Sequence, residues 1–169
     1  MTMDEGPGLR KGLEHVPEKF RDAVSEFLEF LKEKFGEKLV SVVVYGSVAR
    51  GTYREGSDVD ILVVCENFPE RLLERIDLFV DKKFEIAVER GVRISVMPLS
   101  MEEARCNQPI YLDMAFEGII LYDKNGFIEN VLKNLRRKLE ELGAERVRYG
   151  RWYLWKLKRN IKVGEVIRI

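Results

Sequence analysis

Two carboxylates, Asp58 and Asp60, stand two residues apart where an apolar run begins. In an extended strand alternate side chains share a face, so both point the same way, about 7 Å apart along the chain. Two like charges that close are costly unless a cation neutralises them. No His or Cys stands beside them, and hard carboxylate oxygens suit Mg²⁺ or Mn²⁺. Ten residues upstream of the pair, Gly46-Ser47 ends another apolar run. Glycine lets a phosphate approach the backbone, Ser47 offers a hydroxyl, and N–H groups opening a helical turn favour an anion. A phosphate cradle beside a divalent-metal site is the minimum equipment for metal-assisted nucleotidyl transfer. Taken singly, an Asp-x-Asp is usually a solvated turn and a Gly-Ser only a bend. Their joint spacing between two apolar runs is what points to chemistry.

The elements that must position these residues are legible around them. Leu39 to Tyr45 is β-branched and apolar on both faces, as a buried central strand would be. Gly46-Ser47 ends it, and Val48 to Thr52 reads as a short helical turn. Gly56-Ser57 marks a tight turn, and Asp58 to Val64 is a second strand. Ahead of them Pro17 opens a helix, with Phe20, Val24, Phe27, Leu28, Leu31 and Phe35 on one stripe and Gly36 as its stop. Behind them Pro69 to Arg90 is expected as one longer helix with Leu72, Leu73, Ile76, Phe79, Val80, Ala87 and Val88 on its inner side. Val92 to Met97 is a third strand, ended by Pro98. Ser100 to Glu103 has the capping-box pattern of a short helix. Pro109 to Phe116 is helical, Ile119 to Tyr122 a short strand, and Phe127 to Leu142 a strong final helix stopped by Gly143. The expected fold is α/β (α+β): a small mixed sheet flanked by helices, with a C-terminal helix and tail.

The spacing Gly46-Ser47, ten residues, Asp58-x-Asp60 resembles the signature of the DNA polymerase beta-like nucleotidyltransferase superfamily, and especially its small prokaryotic branch, the minimal nucleotidyltransferases. Arg50-Gly51 and Ser57 also fit that motif. The resemblance covers about Pro17 to Pro98. It implies ATP or another nucleoside triphosphate as donor and two divalent metals held by Asp58 and Asp60. Gly46 and Ser47 would hold the triphosphate, with Arg50 and Ser57 as further nucleotide-binding residues. Many such proteins are antitoxins paired with a HEPN-domain toxin, a helical RNase, and some transfer AMP to a tyrosine of it. The division it suggests is a loose arm over 1–16, a nucleotidyltransferase domain over 17–122 and a C-terminal helix and tail over 123–169.

One position departs from that family's pattern. A third carboxylate is expected on the third strand, and by alternation the slot falls on Ser95. Glu103, Asp113 and Glu85 are the acids that would have to reach in instead. Three functions follow. The first is transfer of a nucleoside monophosphate to a hydroxyl, that of a tyrosine on a HEPN partner. The second is a binding module that neutralises its partner by contact, with a damaged metal site. The third is transfer to RNA or to an aminoglycoside-type small molecule.

The rest of the sequence bounds these choices. The chain has 169 residues, 46% of them hydrophobic, and carries 29 basic and 29 acidic side chains. That balance excludes a strongly basic nucleic-acid coat. The segment from Arg146 to Arg159 interleaves aromatic and basic residues; packing against the core or a partner is favoured over RNA binding, with Trp152, Tyr153 and Trp155 as its anchors. Arg54 stands between a phosphate ligand and a solvated loop charge. His15, the sole histidine, lies in a polar arm, and Cys65 and Cys106 lack zinc-like spacing, so a Cys/His metal site is not expected. No apolar run approaches a membrane span or an export signal, which points to the cytoplasm. The 34% of charged residues and single glutamine resemble thermophile composition.

Overall fold

In the computed structural model, which describes residues 6–149, 152–158, 160 and 162–167, the run Leu39–Tyr45 is strand β2, buried along its length as far as Val44. Its partner β3 (Val59–Cys65) is buried at every position but Asp60. Strand alternation sends their side chains to two separate cores. Val42, Val44, Ile61 and Val63 meet α1 (Glu18–Phe35), while Val43, Leu62 and Val64 meet helices on the other face. A sheet covered on both faces is why these strands read as continuous apolar runs.

The sheet runs β1 (Arg10–Lys11), β5 (Ile119–Asp123), β2, β3, β4 (Ile94–Ser100). The central pairs are antiparallel, while β3–β4 and β1–β5 are parallel. This is the expected mixed sheet flanked by helices. The arm expected to be loose is not so throughout, because Arg10 and Lys11 add a strand at the edge and Val16 is fully buried. On the second face lie α5 (Met101–Arg105), α6 (Tyr111–Glu117) and α7 (Phe127–Leu142). Ser100 and Glu103 form the expected capping box at the start of α5. The Asp123 carboxylate accepts from Ile128 N (2.9 Å), Glu129 N (3.1 Å) and the buried Ser41 hydroxyl (2.7 Å), so it joins the first turn of α7 to β2.

Three expectations need correction. Residues 69–90 form two helices, α3 (Leu72–Asp77) and α4 (Val80–Arg90), rather than one. The inward group of α3 is Arg75, which donates to Glu103 at 2.6 and 3.1 Å and also to the Pro69 carbonyl. The inward groups next in line are Phe79 and Ile86, with Phe79 among the rings of Phe27, Phe35 and Phe68. No straight helix satisfies both demands, so the chain turns at Leu78 and Phe79, and Leu72, Leu73, Val80 and Val88 end up exposed. Pro98 does not end its strand. It lies within β4, paired with Val63, and β4 is an edge strand, where a missing N–H is tolerated. The β-like ending expected over 163–169 forms no strand across 163–167, and 168–169 lie outside the described residues.

After α7 and Gly143 the tail forms a two-stranded hairpin, β6 (Glu145–Tyr149) and β7 (Trp152–Lys156). Gly150, Arg151, Arg159 and the Trp152 side chain lie outside the described residues. No helix of the described chain is long and apolar enough to cross a membrane.

The split of 69–90 separates residues that the sequence makes look alike. Phe79→Ala should lower unfolding stability by about 3–5 kcal/mol, since it empties the centre of an aromatic cluster. Leu73→Ala should change it by no more than about 0.5 kcal/mol. Urea titrations of the two variants check this, and equal losses would contradict the observed inner face.

Candidate active site

The chain leaves β2 through Gly46 at φ 74°, where a side chain is strained, and enters the short helix α2 (Gly46–Arg50). The backbone there lies against the second strand: a Cβ on Gly46 would collide with Asp60 Oδ2. The Gly-Ser turn and the second aspartate thus form a single feature. Helix α2 begins at Gly46, two residues earlier than expected, so Ser47 belongs to its first turn.

Asp58 lies just before β3 and Asp60 inside it, with the buried Val59 between them turned to the core. Burial raises the Asp60 pKa, and the Asp58 charge adds to this. A hydrogen bond from Ser95 and the positive charge of Arg50 act against it. Ser95 is directly across the ladder from Asp60, so the third-strand slot is Ser95, as alternation predicts. Tyr45, opposite Asp60 on the other side, has its phenol pushed up to about 12 by burial and by that carboxylate. The neutralising cation for Asp58 comes from within the chain. Arg93 donates to Asp58 Oδ1 at 2.6 Å and to the Gly56 carbonyl at 2.5 Å.

Beside this pair opens a cleft of about 410 Å³ lined by Ser47, Arg50, Thr52, Arg54, Ser57, Arg148 and Tyr153. Three guanidiniums and three small hydroxyls suit a polyphosphate. Ser47, Arg50 and Ser57 meet here as the motif implies, and Arg54 joins them. The Ser57 hydroxyl accepts from the Arg54 N–H at 2.8 Å, which closes the turn.

Arg148 and Tyr153 come from the hairpin, the segment whose aromatic residues are expected to pack. It does pack. Trp155 Nε1 donates to Asp113 at 2.9 Å, and its ring lies 5.1 Å from that of Phe116. It also forms a wall of the cleft. A fully buried carboxylate, Glu117, holds it there. Glu117 takes one ion pair from Arg50 of α2 and another from Arg146 of β6 at 2.7 Å. Burial raises the Glu117 pKa, and Arg146 and Arg50 oppose that shift. The Arg146 guanidinium lies 3.9 Å from the centre of the Tyr153 ring, with that of Arg50 5.5 Å away. The one clue in the sequence was a lone charge inside the apolar stretch Met114 to Ile120.

Gly46, Asp58 and Asp60 stand close to this lining in sequence without being part of it, and the three alternative acids are engaged elsewhere. Glu103 is committed to Arg75 and to the start of α5, and those hydrogen bonds hold it down at about 2. Asp113 serves Trp155 and Arg146. Glu85 pairs with Lys82 on α4 at 2.7 Å. Two carboxylates and the Ser95 hydroxyl form an all-oxygen donor set, which fits Mg²⁺ or Mn²⁺ and offers nothing to a softer ion.

Residues 24–121 match the family model of the nucleotidyltransferase domain. Over 116 residues the chain is 35% identical to a candidate protein adenylyltransferase of Methanocaldococcus jannaschii, MJ1305, across 67% of this chain and 78% of that protein. A second such protein from the same organism, MJ0604, is 30% identical over 102 residues, 59% of this chain and 95% of its own length. Among solved structures, a chain from the complex of a tri-AMPylated HEPN toxin with an MNT antitoxin of Shewanella oneidensis resembles this one with a TM-score of 0.44 and 13% identity, over 72% of this chain and 92% of that one.

The raised proton affinity of Asp60 has a consequence for stability. A group whose folded pKa lies above its unfolded value contributes stability at low pH that is lost as the pH rises through the folded pKa. Without added metal, Asp60→Asn should therefore raise the melting temperature at pH 7. The gain should disappear as the pH falls to the ordinary aspartate range near 4. Asp58→Asn, which removes an exposed ion pair with Arg93 and, against it, a repulsion on Asp60, should shift stability by less than about 1 kcal/mol. Melting curves from pH 4 to 8 test both; a lower melting temperature for Asp60→Asn at pH 7 would contradict the assigned cause.

Proposed function

The chain belongs to the nucleotidyltransferase domain family, and from that premise we propose that it moves the adenylyl group of ATP onto a protein hydroxyl, a tyrosine of a HEPN-domain partner. The observation that carries the reading is the contact between the Gly46 turn and the Asp60 carboxylate, which supports reading the two as the phosphate-holding and metal-holding parts of one site. The 35% identical relative named as a protein adenylyltransferase supports adenylate as the group and protein as the acceptor. The HEPN tyrosine follows from the resemblance of the Gly46–Asp60 motif to the minimal nucleotidyltransferases.

In this reading Asp58 and Asp60 hold Mg²⁺ or Mn²⁺, with the Ser95 hydroxyl as a neutral third oxygen. The metal, when bound, neutralises phosphate charge and polarises the α-phosphate. Ser47 and the first N–H groups of α2 bind the far phosphates, and Arg54 and Ser57 border them. Arg50 acts at one remove, because its guanidinium is engaged by Glu117 and fixes the cleft wall. The acceptor hydroxyl gives up its proton to solvent, its oxygen bonds to the α-phosphorus, and the α–β bridging P–O bond breaks as pyrophosphate leaves. Orientation and charge stabilisation are the protein's share of the catalysis.

A second reading, neutralisation of the partner by contact alone, draws on Ser95 in the third slot and on Arg93 engaging Asp58. AMP transfer from labelled ATP to a HEPN partner separates the two. Wild type should label the partner, Asp58→Asn should lose about 100-fold or more, and Ser95→Asp should tighten metal binding. If wild type transfers nothing and its partner binding survives Asp58→Asn, the contact reading holds and the enzymatic one falls.

A further inference from the structure

We propose that the outer face of α4, continued by the first residues of α3, is the surface on which the acceptor protein docks an amphipathic helix, one whose apolar stripe is flanked by Lys and Arg. The proposal rests on the reading that the acceptor is a protein, and it assigns where that protein sits.

Val80, Phe84 and Val88 are four residues apart, so they line one side of α4. They are 46%, 71% and 68% exposed, and Leu72 and Leu73 of α3 are 56% and 76% exposed. Five of the nine large apolar side chains exposed among the described residues thus fall within residues 72–88. Scattered exposed apolar groups are ordinary, but a contiguous set on one helix side marks an interaction surface. The inner side of α4 is already satisfied by Ile86, and by Lys82 and Arg90, which reach Glu26 of α1 at 2.7 and 2.6 Å. The outward side is left exposed among the described residues.

Charge selects the occupant. One step around the helix from the apolar stripe runs an exposed column of Asp81, Glu85 and Glu89, of which Glu85 also pairs with Lys82, and Asp77 and Glu74 are exposed acids of α3. The chain as a whole is neutral, so this bias is local. A second copy seated antiparallel on the same stripe would bring the two acidic columns together, which is repulsive. RNA would be repelled in the same way. A helix with basic residues beside its apolar stripe satisfies both features.

Position ties the surface to the reaction. Helix α4 ends at Arg90, and three residues later Arg93 grips Asp58. The C-terminal end of α4 is thus joined by a short link to the residue that holds Asp58, just before the strand next to the carboxylate pair.

The probe is a fluorescein-labelled, alanine-based helical peptide of 20 residues with Leu at every third or fourth position and Arg along one flank; its twin has Glu in place of each Arg. Anisotropy titrations use the full chain. The Arg peptide should bind wild type, and the Glu twin at least tenfold more weakly. Phe84→Glu should weaken the Arg peptide tenfold or more, and Val88→Ser serves the same purpose if Phe84→Glu melts early. Asp81→Lys with Glu85→Lys should reverse the preference between the peptides. Mg-ATP binding, measured on the same samples, should be unchanged in every variant. No binding of the Arg peptide to wild type, or equal binding by Phe84→Glu, overturns the docking surface whatever Mg-ATP does. A wild-type dimer in sedimentation that Phe84→Glu dissolves would give the face to a second copy and also overturn it. If wild type fails to bind Mg-ATP but the peptide results hold, the docking surface stands and the enzymatic reading falls instead.

Discussion

Glu117 is a carboxylate with no access to water, and the shape of the cleft depends on the two guanidiniums that pair with it. A buried charge that loses a partner is costly, so Arg50 and Arg146 are as tightly bound to Glu117 as it is to them. Arg50 brings α2, the helix that opens with the Gly-Ser turn. Arg146 brings the C-terminal hairpin. Arg10, from the edge strand, adds hydrogen bonds to the carbonyls of Glu117 (3.0 Å) and Ala49 (2.5 Å). Segments far apart in sequence are thereby held around one acid. Among the described residues, Nε and Nη1 of Arg146 have no hydrogen-bond partner, and the face of that guanidinium is covered by the Tyr153 ring instead. The same ring borders the cleft, so the support of the site and its wall share a side chain.

The paired aspartates pose the complementary problem, two negative charges on one strand face. The chain treats them differently. Asp58 is exposed and takes Arg93 as its cation. Asp60 is half-buried against the Gly46 backbone, where it receives only the Ser95 hydroxyl and the field of Arg50, and its proton affinity rises. That residual electrostatic strain is the kind a bound cation relieves. Glycine suits position 46 because its φ of 74° strains any side chain and a Cβ there would push on the Asp60 carboxylate.

The helices on the α1 side separate what is buried from what is merely apolar. Arg75 lies inside and Leu73 outside because an ion pair with Glu103 and an aromatic cluster around Phe79 each determine the orientation of one short helix. Hydrophobic periodicity reports a face that tends to be covered; it does not say whether the same chain covers it. In α1 and α7 the covering surface is the chain's own sheet.

Much of this was determined by the sequence alone. The boundaries of β2, the stripes of α1 and α7, the capping box at Ser100 and the shared face of Asp58 and Asp60 all follow from periods of 2 and 3.6 residues and from local hydrogen bonding. Such information spans only a few residues, so one sequence carries it. Tertiary structure decided the rest. It joined Arg50 to Glu117 across 67 residues, brought the hairpin to the cleft, gave Asp58 its Arg93 and left Glu85, Glu103 and Asp113 away from the site. It also turned Leu73 and Phe84 outward. In each case the outcome depends on which distant group satisfies a buried charge or covers an apolar face, and no local period of the chain encodes that choice.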